Sequence, residues 1–141
     1  MRREHSETVA LDAGVLIALA TGESSAKTVA ERIADGESTF VCTELALCEL
    51  SYTLCRRLGW EKAWRRIDSL VKSSSITVVP SQMLWSEAAK IKCNARIALP
   101  ECFTLAAGNI TNGRALFARR ERELVDAIEK GHITQRLESL S

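Results

Sequence analysis

Three carboxylates stand alone in this chain. Asp12 is the only charged residue from Val9 through Ala20, Glu49 the only one from Leu45 through Cys55, and Glu101 the only one from Ile97 through Gly113. Each lies in an otherwise uncharged, mostly apolar run. Acids are rarely buried in such surroundings without a partner, because stripping water from a carboxylate is costly. A fourth acid, Glu121, sits in the charged string Arg119-Arg120-Glu121-Arg122-Glu123. Carboxylates gathered at one edge repel and hold their protons unless a cation compensates. A hard divalent ion suits them: Mg2+ or Mn2+ takes oxygen ligands, and Mg2+ keeps several waters beside a few carboxylates. Ca2+ is less suited, since no loop carries closely alternating acids. Such an ion polarises a phosphoryl oxygen and acidifies a bound water. Metal-dependent phosphodiester hydrolysis is the chemistry these residues could serve.

Each acid also has a plainer role open to it. Asp12 could cap a helix beginning at Gly14. Glu101 follows Pro100 into a first helical turn, where the macrodipole favours an acid. Glu49 could pair with Arg56 or Arg57, and Glu121 could belong to a solvated charged face. On a helical wheel Glu49 points away from the stripe Leu47, Leu50, Leu54 and Leu58. Its own face carries Leu45 and Tyr52, which places the carboxylate at the edge of a crevice.

The elements that must position these acids follow from periodicity and punctuation. Thr8–Ala13 reads as a short buried strand, and Val15–Ala20 as helical up to an interruption at Thr21–Ser25. Ser25–Ala34 resumes as a helix ended by Asp35-Gly36. Ser38–Cys42 is a second strand, and Thr43 caps a helix that runs to Leu58 and closes at Gly59. Glu61–Lys72 is an amphipathic helix with Trp64, Ile67 and Val71 inward. Ile76–Val79 is a third strand stopped by Pro80, with Ser81 capping a helix through about Asn94. Ile97–Leu99 is a fragment of strand or loop, and Pro100 opens a helix that ends near Asn112-Gly113. Ala115–Phe117 is a last strand and Arg120–Glu129 a final helix. Alternating strands and helices imply an α/β fold with a parallel sheet covered on both faces. Ligands of such sheets collect beyond the carboxyl ends of the strands.

Length and composition bound what remains. The chain has 141 residues, the size of one domain, so residues 1–141 are read as a single unit. Nineteen basic and 18 acidic residues leave a net charge of +1, which excludes a polybasic nucleic-acid coat and an acidic tail. The five cysteines are odd in number and contain no C-x-x-C pair. Cys48 and Cys55, seven apart, would share a helix face as small core residues, and reduced thiols in a cytoplasmic protein are expected. The two histidines, His5 and His132, lie near opposite ends, which argues against zinc. The opening residues are unlike a signal peptide, and no run approaches the length of a membrane span.

Four strings together resemble the motifs of PIN-domain ribonucleases, the fold of VapC-type toxins. The first is Val9-Ala-Leu-Asp12-Ala-Gly-Val-Leu-Ile17. The second, Thr43-Glu-Leu-Ala-Leu-Cys-Glu49 onward, carries a glutamate on the helix after the second strand. Leu99-Pro-Glu101-Cys-Phe-Thr-Leu-Ala-Ala107 is similar to the third, and Ala115-Leu-Phe-Ala-Arg-Arg-Glu121 to the fourth. The resemblance spans nearly the whole chain. It implies a three-layer α/β/α sandwich around four to five short parallel strands, one or two Mg2+ or Mn2+ ions, and cleavage of RNA, single-stranded or structured. Asp12, Glu49 and Glu101 would be the main acids holding the ion directly or through water, with Glu121 an outer one and Glu123 its rival. An antitoxin protein and a second copy of the chain are the partners it implies. The sequence departs from the pattern at Glu101, where aspartate is commoner, and at Ala118, where Thr or Ser often supports the site.

RNA requires counter-charge, for which Lys90, Lys92, Arg96, Arg119 and Arg120 are candidates; solvated helix faces are their plainer reading. Trp60, Trp64 and Trp85 read as core or interface rather than as base-stacking platforms. The competing function is a PIN-like module that binds or regulates with little catalysis. An aspartyl-phosphate phosphotransferase lacks its second aspartate after Asp12. A Rossmann nucleotide site lacks its glycine turn, and a Ser–His–Asp hydrolase lacks a central histidine.

Overall fold

In the computed structural model, which describes residues 7–73, 75–119, 122–131 and 137–140, strands and helices alternate as the sequence pattern requires. Strand β1 (Thr8–Leu11) leads into α1 (Ala13–Ala20), a short 3-10 turn at Ser24–Ala26 and α2 (Lys27–Asp35). Then come β2 (Thr39–Thr43), the hairpin of α3 (Glu44–Leu58) and α4 (Trp60–Lys72), β3 (Ile76–Val79), α5 (Ser81–Asn94) and α6 (Leu99–Ile110). The chain closes with β4 (Arg114–Phe117), α7 (Arg122–Glu129) and β5 (Leu137–Ser139).

The five strands form one sheet in the order β3-β2-β1-β4-β5, every pair parallel. Side chains alternate across it, as the two-residue strand period dictates. Ala10, Val41, Ala115 and Phe117 face a core built with α5, α6 and α7. Val9, Leu11, Phe40, Cys42 and Leu116 face the opposite core, built with α1 to α4. The fold is therefore an α/β/α sandwich, with β1 at its centre.

Local signals explain the boundaries. Thr43 is extended, and its Oγ1 accepts the Ala46 N–H at 2.9 Å, so a buried hydroxyl starts α3. Gly36 closes α2 with φ of 66°, a left-handed conformation that a side chain would strain. Gly113 packs against the Thr8 carbonyl where the chain enters β4, leaving no room for a Cβ.

Several expectations change. Ser81 is the first residue of α5 rather than its cap; its N–H donates to Glu44 Oε1 at 2.6 Å, joining the starts of α3 and α5. That bond also holds the exposed Glu44 carboxyl below its ordinary range. Trp64 is half exposed, because α4 buries the line through Ala63 and Ile67, one position away. Trp60 and Trp85 are exposed too, so none of the three tryptophans is core. Cys48 is exposed and Cys55 only partly buried, since the inward line of α3 runs through Ala46, Leu50 and Leu54. Residues 97–98 lie outside any regular element, Leu99 begins α6, and the fifth of the four to five strands expected is β5, a segment the sequence pattern did not locate. No helix among the described residues is long and apolar enough to cross a membrane.

Candidate functional site

The centre of the sheet creates a crevice. From β1 the chain crosses to β2 on one side, while β4 returns to pair with β1 on the other. A reversal of this kind splits the connections apart at the carboxyl ends of the two strands and leaves a gap between them. Asp12 follows β1 directly into that gap, and its N–H donates to the Leu116 carbonyl of β4 at 3.0 Å. Its side chain caps α1, with Oδ2 accepting the Gly14 N–H at 3.3 Å. The capping role considered from sequence is thus present, and it fixes the carboxylate at the crevice.

Glu101 arrives from another direction. Pro100 and Glu101 occupy the first turn of α6, where a fixed φ and a favourable dipole suit them. The N-terminus of α6 points Glu101 into a polar cavity of about 350 Å3 that Asp12 also lines. Phe117 and Ala118, at the end of β4, complete the strand side of this wall. A Cβ on Gly14 would stand 2.7 Å from the Ala118 Cβ and 3.3 Å from Asp12 Oδ2. Glycine here lets the loop after β4 close against α1 without displacing the acid.

The cavity also holds three charged residues that sequence reasoning passed over or placed elsewhere. Glu23 comes from the interruption after α1, Arg57 from the last turn of α3, and Arg119 from just beyond β4. Arg119 was expected as an RNA contact and Arg57 as a possible partner of Glu49; Glu23 was assigned no role. Among the described residues, neither guanidinium forms an ion pair.

Glu49 is not in that wall. It is partly buried on α3, and loss of water pushes its carboxyl above the ordinary range. Because the folded state disfavours its charge, Glu49 lowers stability at neutral pH, and the penalty lifts as acid neutralises it. Glu49→Gln is expected to raise the urea midpoint at neutral pH, with the difference shrinking near pH 4. An equal difference at both pH values would show that charge is not the cause.

Glu121 and Arg120 lie outside the described residues. Lys92 donates to the Ile97 carbonyl at 2.6 Å and lines, with Arg96, a separate cavity of about 390 Å3 that also holds Asp126 and Lys130. Lys90 is exposed on α5. A larger cleft, about 420 Å3, lies between α1, α3 and α4 and is mostly apolar, with no carboxylate in its lining.

Among the described residues, no group of three or more His, Cys, Asp or Glu side chains is arranged to hold a metal ion. The carboxylates lining the crevice are Asp12, Glu101 and Glu23, with space for water. That set fits Mg2+ or Mn2+, which bind through one or two carboxylates plus water and substrate phosphate, and does not fit zinc. Cys102, beside Glu101, is buried, and burial pushes its thiol up to about 11, with Lys92 opposing and Glu101 adding to the rise. A thiolate nucleophile is therefore excluded near neutral pH.

Comparison with known proteins agrees with this architecture. The PIN domain description matches residues 9–128. Comparison with curated proteins finds no match. Among solved structures, DNA-bound VapBC from Salmonella typhimurium is similar with a TM-score of 0.69 at 12% identity, covering 96% of this chain and 99% of that one. VapBC2 from Rickettsia felis, bound to a DNA fragment from its promoter, has a TM-score of 0.63 at 10% identity, covering 92% and 98%. VapC20 of Mycobacterium tuberculosis, described as a Sarcin-Ricin loop cleaving toxin, has a TM-score of 0.60 at 12% identity, covering 84% and 94%. At such identities the likeness is one of fold.

Proposed function

Since the chain belongs to the PIN domain family, we propose that it is a divalent-metal-dependent endoribonuclease acting on single-stranded RNA. The observation that carries this reading is the meeting of Asp12 and Glu101 in one polar cavity at the switch point of the sheet. In this reading Asp12 and Glu101 would hold Mg2+ or Mn2+, with Glu49 acting through water or substrate and Glu121, which lies outside the described residues, as the outer acid. A bound ion of this kind supplies a more acidic water and a polarised phosphoryl oxygen.

The protein's own groups do the rest. The α1 cap fixes the Asp12 carboxylate, and the rigid first turn of α6 fixes Glu101. Arg57 and Arg119, on the same wall, attract the RNA phosphate and hold it beside the acids. In-line attack by water on phosphorus then breaks the bond to the leaving oxygen, giving 5′-phosphate and 3′-hydroxyl ends. An antitoxin protein and a second copy of the chain are the proposed partners; the solved relatives that are toxin–antitoxin assemblies support the first.

The purified chain is expected to degrade unstructured RNA with Mg2+ or Mn2+ and to stop when EDTA is added. Cleavage that persists in EDTA would contradict the metal reading. A folded protein that binds RNA but cuts none, with either ion, would favour the regulatory module. The presence of two guanidinium groups, Arg57 and Arg119, beside the three carboxylates of that wall is the observation on that side.

A further inference from the structure

From residue 56 to 66 the chain reads Arg-Arg-Leu-Gly-Trp-Glu-Lys-Ala-Trp-Arg-Arg, five cations against one anion in a protein of net charge +1. The cationic side chains, on the last turn of α3 and the first half of α4, are all exposed. Trp60 and Trp64 stand among them, 54% and 50% exposed. Their rings stack, with centroids 5.9 Å apart and planes inclined by 22°. Neither ring serves the core, which α4 meets through Ala63 and Ile67. Two large apolar rings held in water and nearly parallel present a flat π face. Set among cations, that face suits single-stranded nucleic acid, whose bases stack while its phosphates meet positive charge.

The patch adjoins the acidic cavity in the chain through Arg57. Arg57 lines that cavity, and Trp60 follows three residues later, within about 11 Å by the reach of the chain. Arg66 Nη1 donates to the Ala20 carbonyl at 3.1 Å, tying α4 to the far end of α1. Asp12 caps the other end of α1, which is about 12 Å long at 1.5 Å per residue. A strand of RNA lying in the cavity therefore reaches the tryptophans within a few nucleotides.

We propose that the Trp60–Trp64 stack, flanked by Arg57, Lys62 and Arg65, is a base-stacking platform that grips single-stranded RNA running out of the acidic cavity. The inference deepens the nuclease reading and rests on it for the kind of nucleic acid. The rings supply affinity without sequence preference, since every base has a stacking face. The cations supply salt-dependent attraction to the backbone.

The test compares the full chain with Trp60→Leu/Trp64→Leu, both held in EDTA so that nothing is cut. Leucine keeps helix propensity and replaces no buried group, and circular dichroism checks the fold. Each protein is titrated with an oligouridylate of about 12 nucleotides and with an abasic strand of the same length. The double variant is expected to bind oligouridylate about tenfold more weakly or worse, while both proteins bind the abasic strand equally and weakly. Equal affinity of the two proteins for oligouridylate overturns the platform. So does an unchanged RNA affinity accompanied by a change in oligomeric state, which would assign the rings to a protein interface. Tryptophan-dependent binding by a chain that never cuts RNA would sustain the platform while defeating the nuclease. Binding indifferent to the rings, together with Mn2+-dependent cutting of RNA by both proteins in a parallel assay without EDTA, would do the reverse.

Discussion

Asp12→Asn is expected to lower metal-dependent RNA cleavage by about 100-fold or more while leaving the fold intact. The separation of the two effects comes from the cap. Oδ2 of Asp12 accepts the Gly14 N–H, and asparagine offers a neutral oxygen in the same place with nearly equal capping strength. Stability should therefore stay within about 0.5 kcal/mol. Charge at the crevice, by contrast, falls by one among the three acids, Asp12, Glu23 and Glu101, that line it. The measurement is initial rate on an unstructured RNA with Mn2+, together with a urea melt. Unchanged cleavage would mean that the cavity is not where the chemistry happens; a large loss of stability would mean that the carboxylate is chiefly structural.

Gly113→Ala is expected to cost about 3 kcal/mol of stability, the upper range for overpacking. The added Cβ would overlap the Thr8 carbonyl. Backbone is the wrong thing to meet, because it cannot rotate away as a side-chain tip can. Thr8 opens β1, which runs on to Asp12, so relief of the clash must pull β1 from β4 and widen the crevice. Gly36→Ala is the control: nothing lies within 4 Å of its Cβ, and φ of 66° is its only burden. That strain is worth about 1 kcal/mol. Urea unfolding of both variants decides the matter; equal losses would show that backbone freedom, rather than collision, is what Gly113 provides.

Much of the fold was legible because local signals and the global pattern agree. The β-branched run Ile76–Val79, the Thr43 cap and the Gly59 stop each mark an element boundary, and the structure places them there. β5 escaped notice because three residues, Leu137–Ser139, are too few to show an alternation. Trp64 was misplaced because a helical wheel orders residues by angle but does not say how narrow the covered stripe will be. Only the line through Ala63 and Ile67 is buried on α4.

The site was legible to a lesser degree. The switch-point rule brought Asp12 and Glu101 toward one crevice, because each directly follows or opens an element that ends there. Glu49 carries no such constraint. Its direction depends on how α3 leans against α1, which no local pattern encodes. Arg57 was considered only as a partner for Glu49, and Glu23 was passed over for a different reason: a glutamate in a loop looks like a normal solvent-facing charge. The basic, aromatic stretch around Trp60 was present in the sequence but was discounted ring by ring.

The hydrogen bond from Asp12 to Leu116 has a consequence for timing. It joins positions roughly a hundred residues apart, and contacts between such distant positions form late. While the chain is being synthesised, β1 has no β4 to lie against until residues 114–117 are made. The two sides of the crevice, Asp12 beyond β1 and Ala118 beyond β4, are therefore brought together only once nearly the whole chain has been made.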